Sequence, residues 1–421
     1  MKDSRSDVRT ALRLFVGKGG SGKTTLAAAA AVKHARSGSR ALVVSLDQAH
    51  SLADVLGSVT RYSAGDVVSV EPGLDALELD TLALVEARYR ALGALLAVSG
   101  AGHEHGVRFG AVEPEEIVGA PGVQELLGLQ RIAELVEQGT WDTVFVDLPA
   151  TADALRTLRM PDLVGSYLER LWPQHDRIVA GTGSDPRLTV VVALVERVVA
   201  DADIVRGLLF DHSRTSVAIV LTPDSVALAE TRRTLSAAAL TGLPVDTVMV
   251  NRVLPNLNSA STTLIGTHAA VFWFEGWRSA QQHVLTEIES VARGYELVVI
   301  ELTPGEPVGL ASLGSLAFRG GAADALDRSV DDAASGAEPV VARASGSGLE
   351  SIYTMTMVLP VVDPTTLNLG RVEDDVIIGA DGTRSRVRLA SVLRRCTVIG
   401  AEYESGMLTI RFRPDPSLWP A

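Results

Sequence analysis

Residues 15–26 read FVGKGGSGKTTL. Gly17, Gly22, Lys23 and Thr24 fit the spacing G-x-x-x-x-G-K followed by Ser or Thr, with the apolar run LRLFV before it and the Ala-rich LAAAAAVKHA after it. That order predicts a strand, a glycine loop and a helix. Glycines let the backbone turn its N–H groups inward around phosphate oxygens, and the helix beginning near Lys23 adds its positive end. The Thr24 hydroxyl suits a magnesium ion. The stretch from Gly17 through Lys18, Gly19, Gly20, Ser21, Gly22, Lys23 and Thr24 to Thr25 is therefore the candidate phosphate-binding site. Such a loop ordinarily needs one lysine, and this one holds two, Lys18 and Lys23.

Working outward, RALVVSL (40–46) ends at Asp47 and WDTVFVD (141–147) ends at Asp147. Both runs place an acid at a strand's C-terminal end. Further strands are expected at 216–223, 246–253 and 296–304, separated by helical patterns, and this alternation predicts a mostly parallel sheet. In such sheets ligands bind beyond the carboxyl ends of the strands, where the glycine loop and both acids fall. Longer helical segments are expected at 75–97, 123–138 and 160–212, as caps on the sheet or as a helical lobe with an apolar groove. FWFEGW (272–277) reads as core packing.

The chain has 421 residues, enough for two or three units, and 47% of them are hydrophobic. A formal charge of −13 disfavours a surface built to neutralise nucleic-acid phosphates. With Cys396 as the one cysteine, neither an internal disulfide nor a cysteine-rich zinc site is expected. The charged opening MKDSRSDVRT is not a secretory signal, and the most apolar later run is broken by Glu196 and Arg197. A soluble, cytoplasmic protein is expected. His103 and His105 in GHEHG flank a carboxylate without another visible ligand, and read as an exposed loop.

Residues 321–349, rich in Gly, Ala, Ser and Asp, read as a linker. It separates a unit of residues 1–320 from one of residues 350–421, where short alternating runs divided by ADGT and ESG predict a small antiparallel β unit. Few core contacts are expected to cross that boundary, so deleting residues 345–421 should leave a soluble remainder.

Taken in order, GKGGSGKTT, SLDQAHSLAD, APGVQEL, DTVFVDLPATADALRTLRMP, VLTPDSVALAETRR and VMVNRVLP resemble the arsenite-pump and tail-anchored-protein-targeting ATPase family across most of residues 11–318. The resemblance implies an α/β fold of the P-loop NTPase type, with a mostly parallel sheet and helical insertions. It also implies a homodimeric Mg-dependent ATPase. Lys18 matches the family lysine that crosses the dimer interface to the partner's nucleotide. Asp47 falls in the first switch and is implied to position the attacking water. Asp147 falls in the second, near the magnesium and acting through water, with Thr24 the direct ligand. Asn251 matches the residue that reads adenine, and Pro304 lines the same pocket. The C-terminal run resembles the small alpha-crystallin-like domain appended to some members.

The departures bear on function. Gln48 replaces the usual proline of the first switch, and Ala152 and Asp153 replace a glycine and a histidine of the second, while Thr151, Leu155 and Arg156 stay in place. The zinc pair and the arsenite-binding cysteines of other members are missing, which argues against zinc and arsenite. The leading expectation is ATP-driven switching that binds and releases a protein client, hydrophobic or membrane-bound. The alternatives are a partition-type ATPase that patterns DNA or a surface, and a weakly hydrolysing scaffold.

Overall fold

A computed structural model describes residues 9–48, 51–57, 65–98, 122–183, 186–257, 268–320 and 339–419. Ala49, His50, His103, His105 and most of the expected linker lie outside them. The chain divides into two compact units, one of residues 1–215 and 305–316, the other of residues 216–304 and 317–421.

In the first unit the strands β1 (Ala11–Gly17), β2 (Ala41–Ser45), β3 (Val68–Glu71), β4 (Leu74–Glu78) and β5 (Thr143–Ala150) lie in the order β3-β4-β2-β5-β1. All pairings are parallel except β3 with β4. Strand β2 is buried at every residue and β1 at all but its first, as strands covered on both faces should be. Helix α1 (Lys23–Arg36) turns an unbroken run of fully buried alanines, Ala27 to Ala31, inward, and their small side chains let it lie close against its neighbours. Helices α2 (Ser51–Leu56), α3 (Thr81–Val98), α4 (Val123–Glu137), α5 (Thr151–Leu171), α6 (Gln174–Gly181) and α7 (Pro186–Leu209) complete the unit with the short helix Leu310–Ser315.

The expected helix over 75–97 is corrected at its start, because Leu74–Glu78 is strand β4. Its alternating pattern pairs in register with fully buried β2, Ala41 with Leu74 through Ser45 with Glu78, and this pairing outweighs the helix propensity of Ala, Leu and Glu.

In the second unit β6 (Thr215–Leu221), β7 (Val245–Val253) and β8 (Glu296–Glu301) run parallel, with the two-residue β9 (Phe318–Arg319) antiparallel to β8. Helix α8 (Ser225–Thr241) starts at Asp224, whose side chain accepts from the Ala227 N–H, and stops at Gly242 with φ +77°. Helix α9 (Ala269–Val291) buries Gln281, Leu285 and Ile288. It leaves the expected aromatic core exposed: Phe272 at 65% and Trp273 at 66%, with Trp273 and Trp277 rings 5.2 Å apart. A long amphipathic helix has one buried stripe, and here the heptad of Gln281, Leu285 and Ile288 occupies it.

The C-terminal β unit is two antiparallel sheets, β10 (Val340–Ser345), β11 (Ile352–Val358), β16 (Met407–Pro414) and β15 (Cys396–Glu404) in the order β10-β11-β16-β15, and β12 (Asn368–Val372), β13 (Asp375–Ala380) and β14 (Thr383–Arg388) in sequence. Two expectations differ here. The end of the expected linker is strand β10, paired along its length with β11. The core of the β unit also continues beyond it, because Leu240 of α8 is buried in one cluster with Met355, Ile378, Ile410 and Phe412. Alternation in β10 was too short, and its exposed residues too polar, to stand out within a Gly- and Ser-rich surround.

Among the described residues no helix is long and apolar enough to cross a membrane.

Candidate nucleotide site

The turn between β1 and α1 is built on glycines that no other residue replaces without strain: Gly20 has φ +80° and Gly22 φ +93°. The Ser21 N–H donates to the Lys18 carbonyl at 3.1 Å, closing the loop. Helix α1 begins on Gly22 with no side-chain cap and no acid in its first turn. That contrasts with α8, where Asp224 performs the capping. Four N–H groups at a helix start need partners, and at α1 an anion fits that need.

The two lysines differ. Lys23 is buried, its Nζ 3.5 Å from the Lys18 carbonyl oxygen, while Lys18 itself is exposed with Gly19 and Gly20. Gly17 is the buried last residue of β1, and Thr24 and Thr25 are half-buried in the first turn of α1.

Strand order brings the acids to this loop. Because β5 lies between β1 and β2, Asp147 sits opposite Phe15 on one side and Ser45 on the other. Its Oδ2 accepts from the Thr24 hydroxyl at 2.6 Å and from the Ser45 hydroxyl at 3.5 Å. Asp147 is fully buried, and its Oδ1 has no hydrogen-bond partner. Burial pushes its carboxyl up to about 6, with a smaller push from the charge of Asp47, against the Thr24 hydrogen bond and the Lys23 charge. A buried carboxylate with an idle oxygen, a hydroxyl beside it and an ammonium nearby form a donor set suited to a hard, oxygen-seeking cation such as Mg2+. Thr24 and Asp147 would hold it.

Asp47 follows β2 and is half-exposed. Its N–H donates to the Ser45 Oγ at 3.2 Å. In the first turn of α2 the Ala53 N–H donates to Glu78 Oε1 at 2.9 Å. Gln48, in the proline position, donates to Gln124 Oε1 of α4 at 2.9 Å, and Thr81 donates to the same oxygen at 3.2 Å. In the altered second switch, Asp153 pairs with Arg156 at 3.2 Å, and Arg156 also reaches Glu125 at 3.2 Å.

Asn251 and Pro304 belong to the second unit. Asn251 is buried at the end of β7, where its Oδ1 accepts from the Arg252 N–H at 2.9 Å. Arg252 has φ +61°, a left-handed conformation costly for a side chain of its size. Gln281 of α9 bridges this turn, its Oε1 accepting from Leu254 N–H at 2.8 Å and its Nε2 donating to the Arg252 carbonyl at 3.3 Å. Pro304 is exposed after β8. Sequence reading missed Ser45, Gln124 and Gln281. Only Ser45 carried a signal: it is the one hydroxyl in the apolar run RALVVSL, two residues before the acid.

Family comparison agrees with this geometry. Residues 10–319 match the model of the anion-transporting ATPase family, ArsA type, and residues 350–412 match that of the HSP20-like domain found in ArsA. The chain is 43% identical to Protein Rv2184c of Mycobacterium tuberculosis across the whole of both chains. It is 30% identical to protein SCO2128 of Streptomyces coelicolor over 97% of this chain and 98% of that one. It is 28% identical to a putative arsenical pump-driving ATPase 1 of Aquifex aeolicus over 94% and 98%. With a phosphate loop, an uncapped helix start and a cation-ready acid where that family's model matches, the chain belongs to the ArsA ATPase family and carries its HSP20-like domain.

Proposed function

We propose that the chain is a Mg-dependent ATPase that acts as a cytoplasmic homodimer, using ATP hydrolysis to close on and release a hydrophobic protein client. The observation that carries this reading is the 2.6 Å bond from Thr24 to a buried Asp147 whose second oxygen is unpartnered, beside a helix start without a cap. Lys23 and the loop N–H groups hold the β and γ phosphates. Asp47 accepts a hydrogen bond from the water that attacks the γ phosphorus, orienting its lone pair along the breaking bond. Magnesium, when bound, would neutralise charge that develops on the phosphate oxygens. Exposed Lys18 reaches the nucleotide of the second subunit, so turnover depends on dimer closure.

An apolar client is supported by the faces of α5 and α6, which expose Tyr167, Leu171 at 80%, Ile178 and Val179. The net charge of −13 argues against nucleic acid as the partner. Arsenite is outside the proposed substrates, because the one cysteine, Cys396, is buried in the C-terminal β core.

The test is Asp47→Asn incubated with Mg-ATP. The expected outcome is normal nucleotide binding and a persistent dimer by analytical ultracentrifugation, with the client retained and identifiable by mass spectrometry. Turnover equal to that of the unaltered chain would refute the role given to Asp47.

A further inference from the structure

Three neighbouring strands carry a row of buried polar side chains, with Asp147 within β5 opposite Ser45 at the end of β2, and Ser45 opposite Glu78 at the end of β4. Backbone pairing continues one residue past β2, with the Leu46 N–H donating to the Asp147 carbonyl at 2.9 Å and the Leu79 N–H to the Ser45 carbonyl at 3.0 Å. The Asp47 N–H is caught instead by the Ser45 hydroxyl oxygen at 3.2 Å, while that hydroxyl's proton points to Asp147 Oδ2 at 3.5 Å. One hydroxyl thus links the Asp147 carboxyl to the backbone of Asp47. Further along the chain, the Ala53 N–H is held by Glu78 Oε1 at 2.9 Å.

We infer that Ser45 is a positioning residue for hydrolysis, setting the direction in which Asp47 leaves the sheet; this rests on the ATPase reading above. The chemistry leaves few substitutes. Alanine supplies neither the acceptor for Asp47 nor the donor for Asp147, and cysteine offers only a weak donor and a weak acceptor. Threonine keeps both. Ser45 bonds Asp47 at 3.2 Å and Asp147 only at 3.5 Å, with no hydrogen bond to the phosphate loop among the described residues, so its loss should alter the step that uses Asp47 more than the grip on nucleotide. Positional errors of about 1 Å in a group that orients a nucleophile cost on the order of 100-fold in rate. A softened tether that still samples the right place should cost less, about tenfold.

The experiment compares Ser45→Ala, Ser45→Thr and the unaltered full-length chain by two readouts. One is hydrogen exchange at the Asp47 amide without nucleotide. The other is Mg-ATP turnover together with the affinity for a fluorescent ATP analogue. Ser45→Ala should speed exchange at Asp47, lower kcat about tenfold and leave affinity within about twofold, and Ser45→Thr should restore both. In an Asp47→Asn background, Ser45→Ala should lower the residual turnover no further, because both act through one group. Unchanged exchange and unchanged kcat in Ser45→Ala would overturn the inference, as would full additivity with Asp47→Asn. If the unaltered chain shows no turnover, the ATPase reading fails and the catalytic role of Ser45 falls with it. The exchange measurement, made without nucleotide, still decides separately whether Ser45 holds Asp47.

Discussion

Asp147 is where burial, charge and hydrogen bonding meet, and its protonation has a measurable sign. Its carboxyl titrates at about 6 in the folded chain against an ordinary 3.8, chiefly because it is buried. Between those values the folded state binds more protons than the unfolded one, so stability of the nucleotide-free chain falls as pH rises through that window and stays lowered above it. A shift of about two pKa units corresponds to about 3 kcal/mol. Asp147→Asn keeps an oxygen to accept from Thr24 but carries no charge. It should therefore unfold several degrees above the unaltered chain at pH 7.5, with the gap closing near pH 4, as read by calorimetry without nucleotide. An equal gap at both pH values would show that ionisation is not the cause. Lys18 gives the second expectation at this scale, since an exposed lysine beside the loop contributes little to its own subunit's binding. Lys18→Ala should bind a fluorescent ATP analogue within about threefold of normal while losing most turnover, a pattern that assigns its charge to the transition state. Much weaker binding would return Lys18 to its own subunit's phosphates.

At the scale of the element, α9 shows how a sequence pattern was legible in kind and misread in facing. FWFEGW carries four large aromatic residues, and burial of aromatics is the ordinary expectation. Yet the helix has only one inward stripe, and Gln281 with Leu285 and Ile288 claims it because Gln281 bonds both sides of the strained Arg252 turn. Polar bridging of that kind leaves no mark in hydrophobic periodicity. Ile288→Ala should accordingly cost about 2–5 kcal/mol of stability, the range for truncating a fully buried aliphatic side chain. Trp273→Ala should change stability by less than about 0.5 kcal/mol. Denaturant unfolding of the two variants checks this, and a larger loss for Trp273→Ala would place that ring in a core. The glycine loop was readable in full because its constraints are local: positive φ at Gly20 and Gly22, an apolar strand before and an alanine helix after. Strand β4 was not, because its Leu-Asp-Ala-Leu-Glu sequence suits a helix until pairing with β2 is known.

For the whole molecule, the sequence announced a parallel α/β unit and an antiparallel tail, and both stand. What it concealed was the join between tail and remainder. Composition marks where a chain is Gly- and Ser-rich, but not which distant apolar residue completes a core, and Leu240 completes that of the β unit from α8. Ending the chain at residue 344 would also cut through β10 and remove its partner β11. Such a truncation should therefore expose the α8 surface around Leu240 and aggregate, where a true linker would have left a soluble remainder. Adding Leu240→Ser to the truncated chain should recover solubility, and a truncated chain that stays monomeric and soluble without it would argue that the shared cluster contributes little. The central claim concerns the other end of the chain, where an uncapped helix start with a buried lysine lies against an acid with an idle oxygen. Phosphate release from Mg-ATP, measured for the unaltered chain beside Lys23→Ala and repeated with the magnesium chelated, tests it most directly. The account predicts turnover that disappears with either change; equal release from Lys23→Ala, or none from the unaltered chain, would contradict it.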